Sequence, residues 1–133
     1  MIAERIPSLK NVSEEVLNGE SFKYVLRDFL EGFYTEPSWE KIRDEPRLLK
    51  SVLKDDGLAD AYLAAVCEHL SVMFRLKKAD WVNGTQRRLK RPHFSAKSHG
   101  LRMLCLQESP TAFRKRNLFV GANCLEPKKS IEE

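Results

Sequence analysis

Between Leu58 and Leu76, the residues Leu58, Tyr62, Ala65, Val66, His69, Leu70, Met73 and Phe74 recur at steps of one, three and four. Only an α-helix turns that spacing into one continuous apolar face. The breaker Asp55-Asp56-Gly57 marks where such a helix starts. So long an apolar face has to be covered, and the segment predicts a central helix around which the other elements pack.

The remaining chain offers short partners for it. Phe22, Val25, Leu26, Phe29, Leu30 and Phe33 repeat at helical spacing from Ser21 until Pro37 interrupts them, predicting a second helix. Ser13-Glu14-Glu15-Val16 reads as a capped first turn of a short helix stopped by Asn18-Gly19, and residues 1–12, with Pro7, as an irregular lead-in. Ser38 is placed to cap a short helix through Trp39 and Ile42 that ends near Pro46, and Leu48, Leu49, Val52 and Leu53 form a brief apolar face. Leu101 to Leu106 suits a helix better than a buried strand, although its pattern allows either. Pro110 suits the first position of another helix, and the tail from Glu126 should be loose. The expected fold is therefore all-α: a compact orthogonal bundle of about five to seven short helices in one domain spanning residues 1–133.

Composition narrows the class. With 42% hydrophobic residues in 133, the chain can bury a core without disulfides or metal. Cys67, Cys105 and Cys124 form no CxxC pair and read as reduced thiols. The longest uncharged apolar run, Ala61 to Cys67, is far short of the roughly 20 residues that span a bilayer, and no basic-then-apolar leader opens the chain. A cytoplasmic location without membrane contact is expected. Charge is uneven along the chain: residues 1–60 hold nine Lys and Arg against thirteen Asp and Glu, whereas residues 61–133 hold fourteen against six. A basic second half favours a phosphate-bearing polymer or an acidic protein surface as partner.

Catalytic patterns are weak. Cys67, His69, His93, His99, Cys105 and Cys124 have metal-ligand chemistry, but Cys67 and His69 project about 200° apart on a helix, so no metal site is assigned. There is no nucleophile elbow, phosphate loop or dinucleotide fingerprint, so no catalytic residue and no cofactor is assigned. Asp60 and His69, with an arginine, are the residues that a small pocket would use; the alternative is that Asp55 or Asp56 caps the central helix, Asp60 complements its dipole and His69 packs in the core. The stronger signal is basic. Arg87, Arg88, Lys90 and Arg91 lie beside Trp81, Pro92 and Phe94, and Arg114, Lys115 and Arg116 close a short helix. These seven are the candidate binding residues, able to clamp phosphates or carboxylates; the alternative for Arg114 and Arg116 is pairing with Glu68, Glu108 or the acidic N-terminal region.

The run from Ser109 to Val120, SPTAFRKRNLFV, followed by Ala122-Asn123-Cys124-Leu125, resembles the ending of a family of short uncharacterised bacterial proteins. Asp60 to Val66 with Glu68-His69-Leu70, and Leu89-Lys90-Arg91-Pro92 with Phe94, look like the same family's helix and loop. That family is associated with neighbouring nucleotidyltransferase-like genes in an arrangement reminiscent of toxin and antitoxin pairs. The resemblance implies a binding or regulatory role and supplies no catalytic residues. The expected function is a non-enzymatic partner-binding protein, the antitoxin-like half of a two-protein module, with a nucleotidyltransferase-like protein as partner. A nucleic-acid-binding regulator is the alternative, a small enzyme ranks last, and a homodimer is compatible with each.

Overall fold

The computed structural model describes residues 6–96 and 98–121, and it is mostly helical. Six helices are present among the described residues: α1 (Leu9–Leu17), α2 (Phe22–Thr35), α3 (Lys50–Leu53), α4 (Leu58–Met73), α5 (His99–Glu108) and α6 (Thr111–Arg114). Among the same residues, 3-10 turns at Trp39–Lys41, Asp80–Asn83 and Thr85–Arg87 link them. No described helix is long and apolar enough to cross a membrane.

The central helix expected from periodicity is α4, and it is buried on more than one face: Ala59, Ala61, Leu63, Ala64, Ala65, Val66, Cys67 and Leu70 are all inside. Its alanines let neighbouring backbones approach closely, while α3, α6 and the two later 3-10 turns pack around it. Helix α2 reaches it through edge-on aromatic pairs, Phe22 with Tyr62 and Phe33 with Phe74. The helix stops at Met73 rather than at Leu76 because Arg75 turns left-handed, at φ +57°, and the Leu76 N–H folds back to the Ser71 carbonyl at 2.8 Å.

At its start, Gly57 occupies the N-cap position at φ +88°, where an L side chain is strained, and a Cβ there would meet nothing within 4 Å. Gly57→Ala should therefore destabilise through backbone strain alone, by about 1–2 kcal/mol in urea unfolding. A neutral result would show that the turn relaxes. Asp55 caps the same turn, its two carboxylate oxygens accepting the Gly57 and Ala59 N–H groups at 3.0 Å each.

The N-terminal region departs from expectation. Helix α1 begins at Leu9, capped by the Ser8 hydroxyl, which accepts the Asn11 N–H at 3.2 Å. Ser13 is instead buried in mid-helix, donating to the Lys10 carbonyl and accepting the Arg47 N–H at 2.9 Å. A distant backbone group thus claims the hydroxyl that local sequence assigns to a cap. Pro110 likewise sits one place outside α6, at its N-cap.

Two strands, β1 (His93–Phe94) and β2 (Leu118–Phe119), pair in parallel with His93 opposite Leu118 and Phe94 opposite Phe119. A parallel pair needs a long crossover. Here the crossover consists of α5 and α6, so α5 is carried between two strands instead of being laid on the core.

Candidate partner-binding surface

In the segment 109–120, Ser109 and Arg116 are buried and Asn117 is half-buried. The Ser109 hydroxyl donates to the Cys105 carbonyl, with the Val120 carbonyl 3.0 Å away as the alternative acceptor, and accepts the Val120 N–H at 2.8 Å, tying the end of α5 to the end of β2. Asn117, left-handed at φ +65°, donates through its amide to the Leu89 carbonyl at 2.8 Å. Backbone bonds from Leu89 to Arg116, His93 to Asn117 and Ser95 to Phe119 complete a lace between the basic loop and this segment. The two runs noted in the sequence are therefore one structural unit.

The seven candidate cations divide into two groups. Arg87 is 1% exposed and Arg116 3%, so neither offers a charge to a partner at the surface. Arg87 enters from its 3-10 turn beneath the Trp81 ring, 4.9 Å from the ring centre, and donates to the Pro46 carbonyl and to Glu45 at 3.0 Å. Its Nη1 lies 3.8 Å from Asp60 Oδ1, and its Nε finds no acceptor among the described residues. Arg116 donates to the Ala112 and Val82 carbonyls at 2.7 and 2.9 Å, and its Nη1 makes a close ion contact, not an aligned hydrogen bond, 2.8 Å from Glu68 Oε1. Lys115 bonds the other oxygen of Glu68 at 2.8 Å while remaining exposed. Arg114 is exposed and donates to the Gln107 and Ser109 carbonyls. Arg88, Lys90 and Arg91 are exposed with no ion-pair partner among the described residues.

Asp60 and His69 do not share a site. Nine residues apart on α4, they project about 180° from one another. Asp60 is fully buried, its oxygens accepting the Leu49 and Lys50 N–H groups at 2.7 and 3.1 Å, so it caps α3 rather than serving the dipole of its own helix. Burial pushes its carboxyl above the ordinary carboxylate range, against the pull of those two amides and Arg87. His69 is half-buried, edge-on to Phe113 at 6.1 Å, and burial lowers its pKa. Burial also raises the Cys67 thiol to about 12, which leaves it an unreactive group directed at the Ile42 carbonyl. Among the described residues, no three His, Cys, Asp or Glu side chains come together as a metal site; Cys124 lies outside those residues.

What the seven cations leave out is α5. Leu101, Met103, Leu104 and Leu106 stand between 41 and 54% exposed, and within the helix only Cys105 is buried. Arg102 covers Phe94 at 5.5 Å and donates to the Ala96 carbonyl. The signal for this surface was in the sequence as an apolar run with no polar face, but its exposure depends on the crossover between β1 and β2.

No family model matches the chain, and no curated protein or solved structure matches it.

Proposed function

We propose that the chain is a non-enzymatic partner-binding protein that presents α5, flanked by Arg88, Lys90 and Arg91, to an acidic protein with an apolar groove. One observation carries the reading: four large apolar side chains on a ten-residue helix face outward. Contiguous exposed apolar surface marks interaction sites, and a helix entering a groove is a recurrent mode. The exposed cations preceding β1, without ion-pair partners among the described residues, supply charge complementarity, which speeds encounter and selects the partner. The resemblance carried by 109–120 supports the antitoxin-like half of a two-protein module as the setting, with a nucleotidyltransferase-like partner.

The double substitution Leu101→Glu/Leu104→Glu tests it. Both side chains are exposed, so unfolding stability should stay within about 0.5 kcal/mol of the parent, whereas capture of the partner from native cells should fall at least about thirtyfold. The same partner recovered at the same strength would remove α5 from the contact.

Binding of nucleic acid is the second reading, favoured by the three exposed cations Arg88, Lys90 and Arg91. In that case affinity falls steeply with salt, nuclease empties the capture, and reversing the three charges matters more than the leucine changes.

A further inference from the structure

A cavity of about 470 Å³ opens between the start of α2, the α3–α4 turn and the strand pair. None of the residues lining it belongs to α5, and neither Asp60 nor His69 reaches it. Its volume falls within the range of sites that enclose small organic ligands.

Chemistry divides the walls. Phe22, Leu58, Ala59, Tyr62 and Val120 supply the apolar part. The Phe22 and Tyr62 rings meet edge to face at 88°, and Tyr62 is backed by Phe113 at 5.2 Å, so this corner is held by the core and is formed before any ligand arrives. At the edge, Lys23 and His93 are exposed, and neither side chain has a hydrogen-bond or ion-pair partner among the described residues. The acid on this wall, Asp55, already accepts two backbone N–H groups at the first turn of α4. Its oxygens are engaged by those amides, while the ammonium of Lys23 and the imidazole of His93 are left to an incoming group.

We propose that this cavity binds a small amphipathic anion, an aliphatic or aryl carboxylate of medium length. The apolar body lies on Phe22, Leu58, Tyr62 and Val120, and the carboxylate takes charge-assisted hydrogen bonds from Lys23 and His93. A neutral alcohol of equal length keeps the body contacts and loses the head contacts, and a quaternary ammonium places like charge beside Lys23. Because the walls come from both the α2–α4 region and the strand pair, an occupant also bridges the two and stabilises the fold by mass action.

The test uses the full-length chain with decanoate, decanol and decyltrimethylammonium as probes, read by calorimetry and by amide chemical shifts. Decanoate should bind at least about tenfold more tightly than decanol, with shifts at residues 21–23, 58–62, 93–95 and 120, and the cation should not bind. Lys23→Gln/His93→Gln should weaken decanoate about tenfold and leave decanol and thermal stability unchanged, since both side chains are exposed. Absence of decanoate binding, equal affinity for decanoate and decanol, or shifts confined to the exposed face of α5 would each overturn the proposal.

Discussion

Asp60→Ala is expected to destabilise the protein by about 3–5 kcal/mol, a large share of the about 5–15 kcal/mol ordinary for a single domain. The magnitude follows from what stays behind. Asp60 accepts the N–H groups of Leu49 and Lys50, at 2.7 and 3.1 Å, and faces the buried guanidinium of Arg87. Alanine strands two amides at the start of α3 and removes the interior carboxylate from beside a charge that is 1% exposed. Burial by itself raises the Asp60 carboxyl, so the pair is not a large net source of stability; breaking it is costly because the buried guanidinium keeps only the exposed Glu45 as counter-charge. The double variant Asp60→Ala/Arg87→Met should therefore be more stable than Asp60→Ala alone by about 1–2 kcal/mol, while still short of the parent because the two amides stay unpaired. Urea unfolding of the four proteins closes the cycle. A loss below about 1 kcal/mol for Asp60→Ala would mean that water reaches this cluster.

Arg87 shows where sequence reasoning runs out. It stands in Arg87-Arg88-Leu89-Lys90-Arg91, a run that reads as solvated surface because arginine is rarely buried unless paired. Its partners, Asp60 and Glu45, lie 27 and 42 residues away, so nothing local separates it from Arg88, which stays outside. The periodic helices were readable for the opposite reason. The stripes of α2 and α4 are local, repeated many times and self-consistent, so a single exception such as Met73 does not change the assignment. Caps are less secure, since one hydroxyl decides each of them. Ser38 keeps its expected role, accepting the Glu40 N–H, but Ser13 is taken by Arg47. The strand pair left no pattern, because two residues are too few for alternation to register. For α5, sequence conveys that the residues are apolar but not that the fold leaves them uncovered. Exposure of those leucines follows from the strand pair, the element that was hidden.

The second large effect concerns the link between that unit and α4. Glu68 receives Lys115 and Arg116, each at 2.8 Å, with Lys78 at 3.6 Å, and so fastens the 109–120 segment to the central helix. Glu68→Gln preserves shape but leaves the 3%-exposed Arg116 with only carbonyl acceptors, and should destabilise by about 3 kcal/mol at neutral pH. Burial tends to raise the Glu68 carboxyl, but the Lys115 hydrogen bond and the charges of Arg116 and Lys115 prevail and hold it below the ordinary value. Below about pH 4.5, then, the unfolded chain takes up this proton more readily than the folded one. Stability due to Glu68 is present above that pH and is lost as pH falls through the lower, folded value. The parent should therefore lose stability in acid with a steeper slope than Glu68→Gln, measured as urea midpoints from pH 6 to pH 3. Since the same contact positions the crossover that carries α5, Glu68→Gln should also speed hydrogen exchange at the His93 and Ser95 amides, which bond to Asn117 and Phe119. Faster exchange there at unchanged α2 protection would identify Glu68 as the residue that holds the strand pair and its crossover in place, whereas uniform acceleration would mean that its loss is felt only through global unfolding.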